Sequence, residues 1–309
     1  PRIECKKRAS LITTRCRNSE LWFVNNDSLE KVILGLAAKY RTRYDVKPYA
    51  LAIEGNHIHM PAHFPGMNRS SFMRDFNSTV ARAVPRYAPE YPGGRLFGRR
   101  YSNEFLADNK DIEDYFFYTV LQPVKDGLVE KISDYPGYNC FHDAVYGIER
   151  KFKVVRWGEY NAAKRYNPKV PIKNFTDIVT LKYERLPGYE HLSQREYAKY
   201  MHDELEKRRL EIVQERYTKG LGFAGRTRLL QTKRGKRPKN TKVSTPSTPR
   251  PRVLSRCHKR RAEERDWYFQ KYFRYKEASH RYRAGELDVE FPEGMYKPYI
   301  PVTRPDPPK

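Results

Sequence analysis

The sequence predicts an α+β fold, an antiparallel sheet with helices packed on it, and three observations carry that expectation. Up to residue 121 the runs alternate in the order β-α-β-β-α-β-α, with apolar residues recurring either at strand or at helix spacing. Two of the extended runs are separated only by Gly55-Asn56, a two-residue hairpin signal that makes that pair antiparallel. Finally, 24 Tyr and 15 Phe give a polar chain of mean hydropathy −0.89 enough ring surface for a core.

Each element has its own reason. Residues 10–24 mix β-branched and aromatic side chains and read as a first strand running into a turn. Asn26, Asp27 and Ser28 offer cap chemistry ahead of a helix carrying Leu29, Val32, Ile33, Leu36 and Ala37 on one face. The two hairpin runs occupy 49–54 and 57–64. A second helix places Phe72, Met73, Phe76 and Val80 on one side and stops near Pro85. Residues 95–107 read as a strand and 109–121 as a third helix, with a loop closing the unit near residue 150. A long polar helix starts after Ser193, where Ser193 and Glu196 form a capping box. A last helix spans about 261–283. The division expected is 1–150 as a catalytic domain, 151–218 as a helical or irregular extension, 219–261 as a basic flexible linker or arm, and 262–309 as a C-terminal helix with a Pro-rich tail.

The 309 residues carry 61 Lys and Arg against 37 Asp and Glu, a net charge of +24 that points to a polyanionic partner. That charge is unevenly spread. Residues 1–150 hold 22 basic and 18 acidic side chains, net +4, which leaves 39 and 19, net +20, for 151–309. Between Lys219 and Arg261 there are 15 basic residues and no acidic one. No apolar run is long enough to span a bilayer, and the charged N-terminal residues do not resemble a signal peptide, so no membrane role is expected. Cys5, Cys16, Cys140 and Cys257 are scattered without a CxxC pair, which argues for a reducing cytoplasm and against a zinc or disulfide framework.

Two constellations can carry chemistry. His57 and His59 alternate along a predicted strand and so share a face, where two imidazoles can hold a divalent cation or form a solvated, hydrogen-bonded pair. His63 lies four further on, as a competing ligand or a strand-end residue. Tyr118 and Gln122 are four apart on the third helix, one above the other. A phenolate can attack a phosphate, and an amide oxygen is a hard ligand suited to Mg²⁺ or Mn²⁺.

At these residues the chain resembles a known family. NHIHMPAHF is similar to the metal-binding HUH strand of single-tyrosine HUH transposases, in particular the REP-associated tyrosine transposases, and YTVLQPVKDGLVEKISDYPGYN is similar to that branch's YIHxNPVxAGLVxxPxDYPWSS. The resemblance covers roughly residues 9–146. It implies an HUH-type, ferredoxin- or RRM-like domain in which Tyr118 is the nucleophile and His57, His59 and Gln122 hold Mg²⁺ or Mn²⁺. It further implies a bacterial, cytoplasmic, nucleoid-associated enzyme that cleaves single-stranded DNA at or near hairpins through a 5′-phosphotyrosine. Gln122 departs from the branch's usual Asn, and Thr119-Val120 from its Ile-His. Arg15, Arg17, Arg99, Arg100 and Lys125 near the site, with Lys233, Arg234, Lys236 and Arg237 in the arm, are the expected DNA contacts. The rival expectation is a non-catalytic DNA-binding protein derived from such a transposase. The scheme is open to a monomer or a dimer.

Overall fold

The computed structural model describes residues 2–238 and 251–300. Its elements in chain order are β1 (Ser10–Arg15), α1 (Asp27–Arg43), β2 (Lys47–Pro48), β3 (Ala52–Glu54), β4 (His57–His63) and α2 (Arg69–Tyr87). Then come β5 (Ser102–Leu106), α3 (Asn109–Val120), the single turn α4 (Gln122–Lys125), α5 (Phe141–Tyr146), β6 (Arg150–Val155), α6 (Trp157–Tyr166) and β7 (Thr176–Leu181). The chain ends its described course with α7 (Gln194–Thr218), α8 (Arg226–Leu230), β8 (Val253–Leu254) and α9 (His258–Arg283). The fold is α+β.

The main sheet runs β2-β4-β1-β5-β8, with β3 also pairing β4. Every pair is antiparallel except β5 with β8, which is parallel and follows from the long return of the chain to that edge. Asn26 caps α1 by accepting from the Leu29 amide at 3.0 Å, and Asp108 caps α3 by accepting from Asp111 at 2.8 Å. The capping box of Ser193 and Glu196 opens α7. Helices α1 and α2 pack on each other, α3 packs on β4, and α7 lies across α4 and α5. The β6–β7 ribbon lies on α1 at Gly35, where a Cβ would come within 2.9 Å of Val154 Cγ2, so glycine permits the close approach.

Three expectations shift. The strand read over 95–107 begins only at Ser102, because residues 96–98 spend their backbone groups crossing the end of β1: the Arg17 amide donates to Leu96 and the Gly98 amide to Arg15. Helix α2 runs past Pro85 to Tyr87, since Pro85 sits on the exposed side of the last turn, where a missing N–H costs little. The third helix ends at Val120 and Gln122 opens the separate turn α4, because Pro123 has no N–H to offer the Thr119 carbonyl.

One apolar core extends from Ala9 to Val213. A second, smaller one joins Ile3, Phe105, Val253, Tyr268 and Met295, tying the N-terminal segment and β5 to β8 and α9. The described part of the basic run lies against the domain: the Leu21 amide donates to Lys236 and the Gly235 amide to Leu21, while residues 239–250 lie outside the described residues. No helix among the described residues is long and apolar enough to cross a membrane.

Helix α3 is anchored by a buried ion network. Arg208 of α7 reaches Glu113 at 3.0 Å and Asp114 at 2.7 Å, and Lys110 also pairs with Glu113 at 2.9 Å. Burial alone would raise the Glu113 carboxyl, but hydrogen bonds from Lys110 and Tyr189 and the charges of Lys110 and Arg208 outweigh it and hold the group low. Removing Arg208 strips two buried carboxylates of a shared partner. We expect Arg208→Ala to destabilise the protein by about 3 kcal/mol, the lower end of the cost of breaking a buried pair, because Lys110 still serves Glu113 and Arg256 still serves Asp114. Urea denaturation at pH 7 measures it, and a change below about 1 kcal/mol, the worth of an exposed pair, counts against the latch.

Candidate active site

Strand alternation and register bring the site together. His57 and His59 project from the same face of β4, buried, with ring centroids 4.6 Å apart. Directly opposite on β1 stand Arg15 and Thr13, and opposite His57 on β3 stands Glu54, so all five share one face. Helix α3 lies over that face and places the Tyr118 ring 5.6 Å from the His59 ring. Lys125, from α4, sets its ammonium 4.5 Å from the Tyr118 ring centroid, a cation–π distance.

The histidines are oriented by neighbours that sequence reasoning had not singled out. Asn56 Oδ1 lies 2.7 Å from His57 Nδ1. An amide oxygen only accepts, so Nδ1 carries the proton and the lone pair sits on Nε2. Thr13 Oγ1, 2.8 Å from His59 Nδ1, can accept in the same sense. Gln122 is similarly fixed: its Nε2 donates to Asp126 Oδ1 at 3.2 Å, so the amide cannot be flipped without facing oxygen to carboxylate. Its Oε1 is buried and has no hydrogen-bond partner among the described residues. An orphaned amide oxygen is costly unless something electropositive occupies its direction. Two imidazoles, His57 with its lone pair on Nε2, and one such oxygen are donors of the kind a hard divalent cation takes. Among the described residues no cluster of three His, Cys, Asp or Glu offers an alternative metal site.

His63, at the exposed end of β4, hydrogen-bonds the Lys6 carbonyl at 2.6 Å and so is occupied as a strand-end residue. Tyr115 is the other tyrosine of this helix, its ring 5.6 Å from that of Tyr118. Burial pushes its phenol up to about 12, which keeps it protonated.

The remaining basic residues disperse. Arg17 lies at the crossing with residues 94–98. Arg99 and Arg100 line a separate cleft that none of His57, His59, Tyr118 and Gln122 touches. Arg234 pairs with Glu90 and Arg237 with Glu20, at 3.0 Å in the second case, while Lys233 and Lys236 are exposed. The hairpin turn itself was the signal for the missed partners: a two-residue turn at Gly55-Asn56 makes Glu54 and His57 a cross-strand pair.

Over 108 residues the chain is 26% identical to a Haemophilus influenzae protein named as a REP-associated tyrosine transposase, a match covering 32% of this chain and 61% of that relative. The chain is similar to the REP-associated tyrosine transposases. The match thus spans less than two thirds of that transposase's length. A solved structure of a REP-associated tyrosine transposase bound to a REP hairpin is 18% identical, with a TM-score of 0.39 and coverage of 56% of this chain and 87% of the other. No family model matches the chain.

Glu54 gives a pH test of the buried face around His57. Burial first, and then the nearby charge of Asp126, push its carboxyl up to about 8, against the pull of the Tyr135 hydrogen bond. An unfolded glutamate titrates at about 4.3, so between these values the folded protein holds a proton that the unfolded chain has released. Stability therefore falls as pH rises through that window. In metal-free buffer, Glu54→Gln should flatten the dependence of the urea midpoint on pH between about 4.3 and about 8; a slope equal to that of the parent protein contradicts a buried, protonated Glu54.

Proposed function

We propose that this protein is a single-stranded DNA endonuclease and strand transferase that uses Tyr118 as nucleophile. The observation that supports the reading is that His57 and His59 share the face over which α3 carries Tyr118, 5.6 Å from the His59 ring, with Gln122 in the turn that directly follows α3 and its buried amide oxygen without a hydrogen-bond partner among the described residues. In the proposed reaction Tyr118 Oη gives up its proton and attacks a DNA phosphorus. The bond from phosphorus to the 3′ oxygen breaks, a proton passes to that oxygen, and a 5′-phosphotyrosine and a free 3′-OH result. Attack by another 3′-OH reverses the chemistry and joins strands without ATP. His57, His59 and Gln122 would hold Mg²⁺ or Mn²⁺, which when bound neutralises phosphate charge and orients the scissile group.

The chain's own residues supply the rest. Asn56 holds the His57 imidazole in one tautomer, Thr13 hydrogen-bonds and so orients the His59 ring, and Asp126 holds the Gln122 amide. The Lys125 ammonium over the Tyr118 ring places a positive charge beside the proposed nucleophile that attracts the incoming phosphate. Residues 1–150 are the proposed catalytic unit and the more basic 151–309 the proposed grip on DNA, with hairpin DNA as substrate in a bacterial cytoplasm. The test is a labelled hairpin with single-stranded flanks incubated with Mn²⁺ and run on a denaturing gel. We expect a covalent protein–DNA adduct, absent in Tyr118→Phe, and in Gln122→Ala a reduced yield that higher Mn²⁺ partly restores. Binding without any adduct across a panel of hairpins would replace the enzyme by a DNA-binding protein.

A further inference from the structure

Five segments of the chain enclose a cleft of about 920 Å³ that Tyr118 does not line: Arg2 near the N-terminus, α2, the loop 95–101 before β5, α9, and residues 296–299. Arg95, Arg99, Arg100, Arg283 and Lys297 line it, and among the described residues no Asp or Glu does. Like charges gathered at a concave surface without a countercharge create a strong field for an anion. Tyr101, Tyr296 and Tyr299 also line it. The Arg2 guanidinium already covers the Tyr101 ring at 3.4 Å, whereas Tyr296 and Tyr299 are 58% and 84% exposed. Cations interleaved with open rings suit a polymer that carries both phosphates and flat apolar faces.

We propose that this cleft is a second nucleic-acid site that holds a single-stranded DNA segment, its phosphates against Arg95, Arg99, Arg100 and Arg283 and its unpaired bases on Tyr296 and Tyr299. The choice of DNA rests on the nuclease reading above; the choice of a single strand rests on the cleft. Duplex bases are stacked inward and cannot meet the two tyrosines, so a duplex would use the cations alone. Because the C-terminal segment builds one wall, a function follows for it: it holds a strand on a surface separate from the one where Tyr118 would act.

The experiment uses the full chain and a fluorescein-labelled 12-mer of oligodeoxythymidylate, which has no hairpin, read by anisotropy without added metal. Arg95→Ala/Arg283→Ala should weaken binding about tenfold and lower the slope of log affinity against log salt by about 1.4, since each single-strand phosphate contact contributes roughly 0.7. Tyr299→Ala should weaken binding about tenfold with the slope unchanged, in line with the roughly 1–3 kcal/mol of a base–aromatic stack, and Tyr299→Phe should restore it. Unaltered affinity in the Arg double variant and Tyr299→Ala overturns the proposal, as does equal competition by duplex or tighter binding of oligouridylate. The two readings separate cleanly. Oligothymidylate binding that depends on Arg95, Arg283 and Tyr299 upholds the cleft even if no adduct forms on any hairpin, and adduct formation without that dependence overturns the cleft alone.

Discussion

The antiparallel register of β1 against β4 is the constraint on which the candidate site depends. It sets Thr13 opposite His59 and Arg15 opposite His57, while the tight turn before β4 sets Glu54 opposite His57 from the other side. Because side chains alternate faces, a slip of one residue would turn both histidines away from α3 and bring Ile58 and Met60 in their place. The alternate residues Ile58, Met60 and Ala62 are themselves buried in the core, so the register is enforced by apolar burial on one face and used by polar groups on the other.

A second constraint fixes what lies over that face. Helix α3 carries Tyr118, but its position is secured by acidic residues on the same helix, Glu113 and Asp114, which share Arg208 of α7, with Lys110 and Arg256 as their further cations. Tyr189 and Tyr200 add hydroxyl donors to Glu113. The placement of the candidate nucleophile thus depends on a guanidinium ninety residues later in the chain. This is a physical reason for α7 to pack against the domain that bears the histidines, independent of any contact with DNA.

Much of this was legible in the residues. Asn26 and Ser193 announce helix starts because a short polar side chain can satisfy an otherwise unpaired amide, and each acts as a cap. Gly55-Asn56 announces the hairpin, and alternation then places His57 and His59 together. The split of Tyr118 and Gln122 between two helical segments was encoded in Pro123 but needed the backbone to be seen. What sequence reading could not reach were partners distant along the chain: Thr13 for His59, Asp126 as the clamp on Gln122, and Arg208 for α3. The same limit explains the basic residues. Arg15, Arg99 and Arg234 look alike as charges, yet one faces the histidines, one lines a cleft shared with α9, and one pairs with Glu90.

The sequence by itself determined the α+β class, the hairpin, the pairing of two histidines on one strand face and the excess of positive charge in the second half, because each follows from local period, turn chemistry or composition. Only the tertiary structure decided that Tyr118 lies beside His59, that the Gln122 oxygen is left without a hydrogen-bond partner among the described residues, and that the C-terminal segment completes a cationic cleft against α2 and the loop before β5. Those are distances between residues far apart in sequence, and they are set by which apolar faces bury one another, a property of the whole chain that no local pattern contains.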